Sequence, residues 1–91
     1  MSRIEVESSV AEGGWLAGVT VTDPGSSRAF EVTVSASELA RLDPSAAEPT
    51  ELVRRAFEFL LAREPKESIL PRFGLGVISR YFPEFEREIR G

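Results

Sequence analysis

The chain has 91 residues, 42% of them hydrophobic and 29% charged, which suits one cooperative core and leaves no room for a second. It contains no cysteine and no histidine, so disulfides, thiolate chemistry, the usual Cys/His zinc sites and imidazole proton transfer are all excluded. The formal net charge is -4, and the acidic excess sits in residues 1–45, because the basic and acidic groups of residues 46–91 balance.

A chain this short buries only about 60–65% of the surface its unfolded form exposes, so its stability margin is thin and a protein partner or homo-oligomer is expected to add burial. Met1-Ser2-Arg3-Ile4-Glu5-Val6-Glu7 carries charge where a secretory leader needs an apolar core. No apolar run approaches the roughly 18–20 residues of a membrane span. The expectation is a cytoplasmic protein with no membrane association.

In chain order, Ile4 and Val6 alternate with Arg3, Glu5 and Glu7 as a first strand ending near Ser8. Glu12-Gly13-Gly14 turns the chain into a second strand, where Trp15, Ala17, Val19 and Val21 share one face and Gly18 suggests a bulge or a close backbone approach. The alternation of Trp15 with Val19 and Val21 favours core packing against the main helix over an exposed anchor for a partner. Asp23-Pro24-Gly25-Ser26 reads as a type II turn, with proline presetting φ at the second position and glycine accepting a positive φ at the third. The third strand puts Phe30, Val32 and Val34 on an apolar face and Ala29, Glu31 and Thr33 on a solvated one.

Ser35 then caps a short helix reaching about Leu42 before Pro44, with Glu38 completing a capping box and Val34 stapling to Leu39. Thr50 is the expected cap of the main helix, in which Leu52, Val53, Ala56, Phe57, Leu60 and Leu61 recur at helical spacing to about Glu64. The opposite face offers the pairs Glu51–Arg55 and Arg54–Glu58. A helical turn over Lys66 to Leu70, a helix from about Val77 and a kink or restart at Pro83 complete the chain. The predicted architecture is a single α+β domain over 1–91. It is a three-stranded antiparallel β-meander, with one face covered by the main helix and the C-terminal helical segments, and with its first edge blunted by charge.

Without histidine no serine triad is possible, and a serine–lysine dyad would need Lys66, the only lysine, which falls in a polar turn. Glu84, Glu86 and Glu88 alternate, so on a helix they diverge and read as a solvated acidic end. Asp23 and Asp43 are the only aspartates, each followed by proline, and no asparagine accompanies them, so no metal site is predicted. Gly13-Gly14 and Gly74-Leu75-Gly76 lack the partners of a phosphate-binding loop, and no cofactor or small-molecule substrate is predicted. Arg54, Arg55, Arg63, Arg72, Arg80, Arg87 and Arg90 could serve nucleic acid, but neighbouring glutamates cancel their charge and the pI is about 4.9.

One group stands apart. Arg72, Phe73, Arg80, Tyr81, Phe82 and Phe85 form an arginine- and aromatic-rich C-terminal segment of the composition found at interface hot spots, and they are the candidate partner surface. The same rings could instead complete a small core.

From Glu31 onward the runs EVTVSASELARL, PTELVRRAFEFLLAREPKESIL and VISRYFPEFEREI resemble a family of short uncharacterised bacterial proteins, a domain of unknown function sharing REPKESIL- and RYFPEFE-type segments. In that family polar, helix-starting residues stand where Gly74 and Gly76 stand here, which implies a looser start to the last helix. The resemblance implies no activity and assigns no catalytic residue. The reading is therefore a non-enzymatic protein-interaction or regulatory module. An antitoxin-like or nucleic-acid-associated regulator is the alternative, and an enzyme would require a deep pocket where a glutamate meets Tyr81.

Overall fold

Apolar alternation gives three nine-residue strands in the computed structural model, β1 (Arg3–Ala11), β2 (Gly14–Thr22) and β3 (Ser27–Ser35). The structure describes residues 2–90; Met1 and Gly91, the two ends of the expected 1–91 domain, lie outside the described residues. The helices are α1 (Ala36–Leu42) and α2 (Thr50–Leu61), then α3 (Val77–Tyr81) and α4 (Phe85–Ile89), with a 3-10 turn at Lys66–Ser68 and a short strand β4 (Arg72–Gly74) between the two pairs. The chain is α+β. Its sheet has four strands in the order β1-β2-β3-β4, antiparallel except for the last pair.

The expected three-stranded antiparallel meander is thus one strand short. Strand β4 lies parallel to β3, held where the Glu31 amide donates to the Pro71 carbonyl and the Leu75 amide to the Thr33 carbonyl. The three residues Arg72–Gly74 carry too little alternation to announce a strand, and a parallel partner exists only once the chain has folded back.

The turns also differ from expectation. Gly13 has a φ of 77°, the left-handed region, and closes the β1–β2 hairpin. Gly25 does not adopt positive φ, so Asp23–Ser26 is not a type II turn. The Asp23 carboxylate instead accepts from the amides of Gly25 and Ser26, which stabilises the turn without left-handed backbone. Gly18 forms no bulge: it pairs in unbroken register with Glu7 and Glu31. First-strand pairing likewise continues past Ser8 to Ala11.

Helix α1 matches its sequence signature. Ser35 Oγ accepts from the Glu38 amide, Glu38 answers at the Ser35 amide, and the helix stops before Pro44. Helix α2 begins at Thr50 itself rather than after it, and the Thr50 side chain makes no cap; it reaches to Glu48 and to Ser8 on β1.

The core forms on one side of the sheet, where Ala17, Val19, Val21, Phe30, Val32 and Val34 meet Leu52, Val53, Ala56, Phe57 and Leu60 of α2. Phe57 is fully buried, with its ring 5.1 Å from Phe30 and 6.1 Å from Phe73, so it joins β3, α2 and β4. Trp15 is half-buried against this cluster, on the face the alternation assigns it. Phe59 is buried on a second side of α2, against Phe82 at 5.7 Å and Phe85 at 5.1 Å. Among the described residues nothing forms a covering layer on the other sheet face, which bears Glu5, Glu7, Leu16, Thr33 and Glu31.

Two measurements check this packing. Phe57→Ala is expected to cost about 3–5 kcal/mol in urea unfolding, because the cavity lies where three elements meet. A Cβ at Gly14 would meet the Val34 carbonyl oxygen at 2.1 Å, whereas one at Gly18 has only the Glu7 carbonyl, at 4.0 Å. Gly14→Ala should therefore destabilise markedly, and Gly18→Ala should be neutral or stabilising by about 0.5 kcal/mol; equal effects at the two positions would contradict the register.

Candidate interaction surface

The six predicted surface residues separate. Phe85 is 1% exposed and belongs to the core beneath α4. Arg72 lies on the uncovered sheet face, paired with Glu31 at 3.0 Å and apart from the other five. Phe73 and Phe82 are half-buried, while Arg80 is exposed and Tyr81 is 68% exposed.

Phe73, Tyr81 and Phe82 do converge, on an open groove of about 360 Å³ between the end of α2, the 66–73 segment and α3. Leu60, Ile69, Leu70 and Ile78 supply most of its remaining wall, and Glu64 and Ser68 its polar positions. Leu70 is 48% exposed, which is unusual for so large an apolar side chain at a concave site. It was missed in the sequence, although Ile69-Leu70 before a proline carries a signal: Ile69 is buried and extended at φ -82, ψ 135, so its neighbour must face outward. Glu64 and Tyr81 both border the groove, but no hydrogen bond joins them.

The glutamates read as a solvated acidic end serve instead to hold the C-terminal segment down. Arg63 lies 3.6 Å above the Phe59 ring and pairs with Glu84 at 3.4 Å and Glu88 at 3.2 Å. Arg41 binds Glu86 at 2.9 Å. Arg55 does not pair with Glu51; it donates to Asp43 and to the Ile89 carbonyl, linking the end of α1, α2 and the end of α4. Arg54 takes both Glu51 and Glu58. Among the described residues, Arg28, Arg80, Arg87 and Arg90 are the arginines with no carboxylate partner.

Lys66 opens the polar 3-10 turn Lys66–Ser68, as expected, but its side chain is not solvated. It is 5% exposed and forms ion pairs with Asp23 in the β2–β3 turn and with Glu67 at 3.0 Å. Hydrogen bonding to Asp23, then to Glu67, holds the ammonium above its ordinary value of 10.5. Lys66, then the Gly25 and Ser26 amides, hold the Asp23 carboxyl below its ordinary value of 3.8. Such an ammonium is a lock between two loops and a poor nucleophile. No three acidic groups come together as a metal cage among the described residues, and no helix there is long and apolar enough to cross a membrane.

Compared with known protein families, curated proteins and solved structures, the chain matches none.

The Lys66 lock sets a pH profile. The lowered carboxyls of Asp23 and Glu67 contribute stability that is complete above their ordinary values and lost as pH falls through their folded ones. The raised ammonium contributes stability complete below 10.5 and lost as pH rises through its folded value. Urea midpoints measured against pH should fall at both ends for the wild type. Lys66→Met should lose the alkaline limb and shrink the acid one; a profile superimposable on wild type would show that the pair contributes nothing.

Proposed function

We propose that the protein is a non-enzymatic protein-interaction or regulatory module that binds a partner through the groove between α2, the 66–73 segment and α3. The carrying observation is the exposure of Leu70 and Tyr81 beside half-buried Phe73 and Phe82, an apolar concavity with an aromatic rim on a chain small enough to gain from added burial. The non-enzymatic reading is supported by the ion-pairing of Lys66, the one lysine, with Asp23 and Glu67.

The nucleic-acid-associated, antitoxin-like reading is weaker on electrostatic grounds. Arg54, Arg55, Arg63 and Arg72 already have carboxylate partners, so little of the arginine charge is free to displace counterions from phosphates. Its support is confined to Arg80, Arg87 and Arg90 of the C-terminal half, with Arg28 on β3.

Capture from native lysate, with and without nuclease, compares wild type with the doubly substituted Leu70→Asp/Tyr81→Ala protein, whose changes fall on exposed side chains and should leave folding intact. The expected result is a nuclease-resistant protein recovered stoichiometrically with wild type and reduced at least about tenfold with the variant, as loss of a hot-spot pair implies. Equal recovery by both would contradict the groove, and nuclease-sensitive recovery would favour the regulator.

A further inference from the structure

The edge of the sheet at β1 supports an inference independent of the groove. Alternate residues of a strand direct their backbone groups to opposite sides, so one fixed hydrogen bond sets the direction for a whole sheet. The Glu31 amide and the Thr33 carbonyl bond toward β4, so Phe30, Val32 and Val34 must bond toward β2. Their partners Val19, Ala17 and Trp15 then face β3, which leaves Leu16, Gly18 and Thr20 to bond to Ser9, Glu7 and Glu5 of β1. By elimination, the amides and carbonyls of Ile4, Val6, Ser8 and Val10 point away from the sheet, and no group among the described residues bonds to them.

Of the usual protections of an edge only charge is present, and it is confined to Arg3, Glu5 and Glu7, leaving Ser8 to Ala11 uncharged. β1 is nine residues long, in unbroken register from Arg3 to Ala11, with no proline and no bulge. The charges expected to blunt it, Arg3, Glu5 and Glu7, belong to the alternate set and project from the open sheet face. Val10 is 85% exposed at the end of the strand. By contrast β4, the other edge, is three residues long, follows a proline and carries Arg72.

We infer that the occupant of this edge is the β1 strand of a second copy, paired antiparallel about a two-fold axis at Ser8. Charge decides whether a second copy fits here, and in which register. Centring on Val6 would set Glu5 opposite Glu7 twice, and centring on Glu7 would set Glu7 opposite itself. Centring on Ser8 sets Glu7 opposite Ser9, Glu5 opposite Ala11 and Val6 opposite Val10, so no like charges face each other and the exposed valine gains an apolar neighbour. This is the longest centred register free of such opposition, and it makes a continuous sheet from two copies.

Sedimentation velocity over a concentration series, together with paired cysteine variants in this cysteine-free chain, tests the inference. Wild type should shift from monomer to dimer as concentration rises. Ser8→Pro removes an amide that points outward, so circular dichroism should stay native-like while the dimer is lost. Val10→Lys, at an exposed position, provides a second variant expected to weaken it. Under mild oxidation a mixture of Glu7→Cys and Ser9→Cys proteins should cross-link to each other in preference to themselves. A wild type that stays monomeric to its solubility limit would overturn the inference, as would a dimer unaffected by both Ser8→Pro and Val10→Lys. So would Glu7→Cys linking chiefly to itself, which would mean a different register.

Discussion

One constraint organises the molecule: a twisted sheet with a single apolar face, made by Ala17, Val19, Val21, Phe30, Val32 and Val34, has to be covered by a chain with few residues left to do it. Helix α2 takes that role, and Phe57 at its centre reaches Phe30 beneath and Phe73 beyond. Seating Phe73 brings the 72–74 backbone beside β3, which makes a fourth strand out of a stretch with almost no strand character of its own. The groove follows from the same arrangement. The chain must leave the end of α2, turn at the 3-10 segment and return to the sheet, and the hollow between that path and α3 is lined by Leu60, Ile69 and Leu70.

Arginine chemistry fixes what hydrophobic burial alone leaves loose. Helices α3 and α4 are five residues each, too short to persist without tertiary support. Arg41 of α1, Arg55 of α2 and Arg63 just past the end of α2 each reach a carboxylate or carbonyl of the C-terminal segment, while Phe85 and Ile89 are buried beneath. A planar guanidinium can satisfy two acceptors and lie on a ring at once, as Arg63 does on Phe59, which a lysine could not do. The buried Lys66 secures the opposite side, tying the β2–β3 turn to the segment that leads into β4.

What the sequence made legible was what short-range periodicity encodes. The three long strands, the Ser35–Glu38 capping box, the main helix and its sheet-facing residues all follow from patterns within a few positions. Long-range effects were not legible. β4 depends on β3 as a template, and Phe59 is buried because α4 folds over a second side of α2. Arg55 prefers Asp43 and Ile89 to the i-4 glutamate, and the polar-looking Lys66 is drawn inward by Asp23, forty-three residues away in sequence. Of the C-terminal aromatic cluster, composition identified the region but could not divide it: Phe85 completes the core, whereas Tyr81 stays on the rim of a groove that Leu70 also borders.

The groove and the β1 edge lie on different elements, and both are consequences of a sheet covered on one side and capped at one edge only. Residue-resolved amide hydrogen exchange in dilute solution tests that arrangement most directly, because it reads the direction of each backbone group. The account predicts an alternation along β1, with Glu5, Glu7 and Ser9 protected and Ile4, Val6 and Ser8 exchanging rapidly. Uniform protection of β1, or the same alternation displaced by one residue, would contradict it.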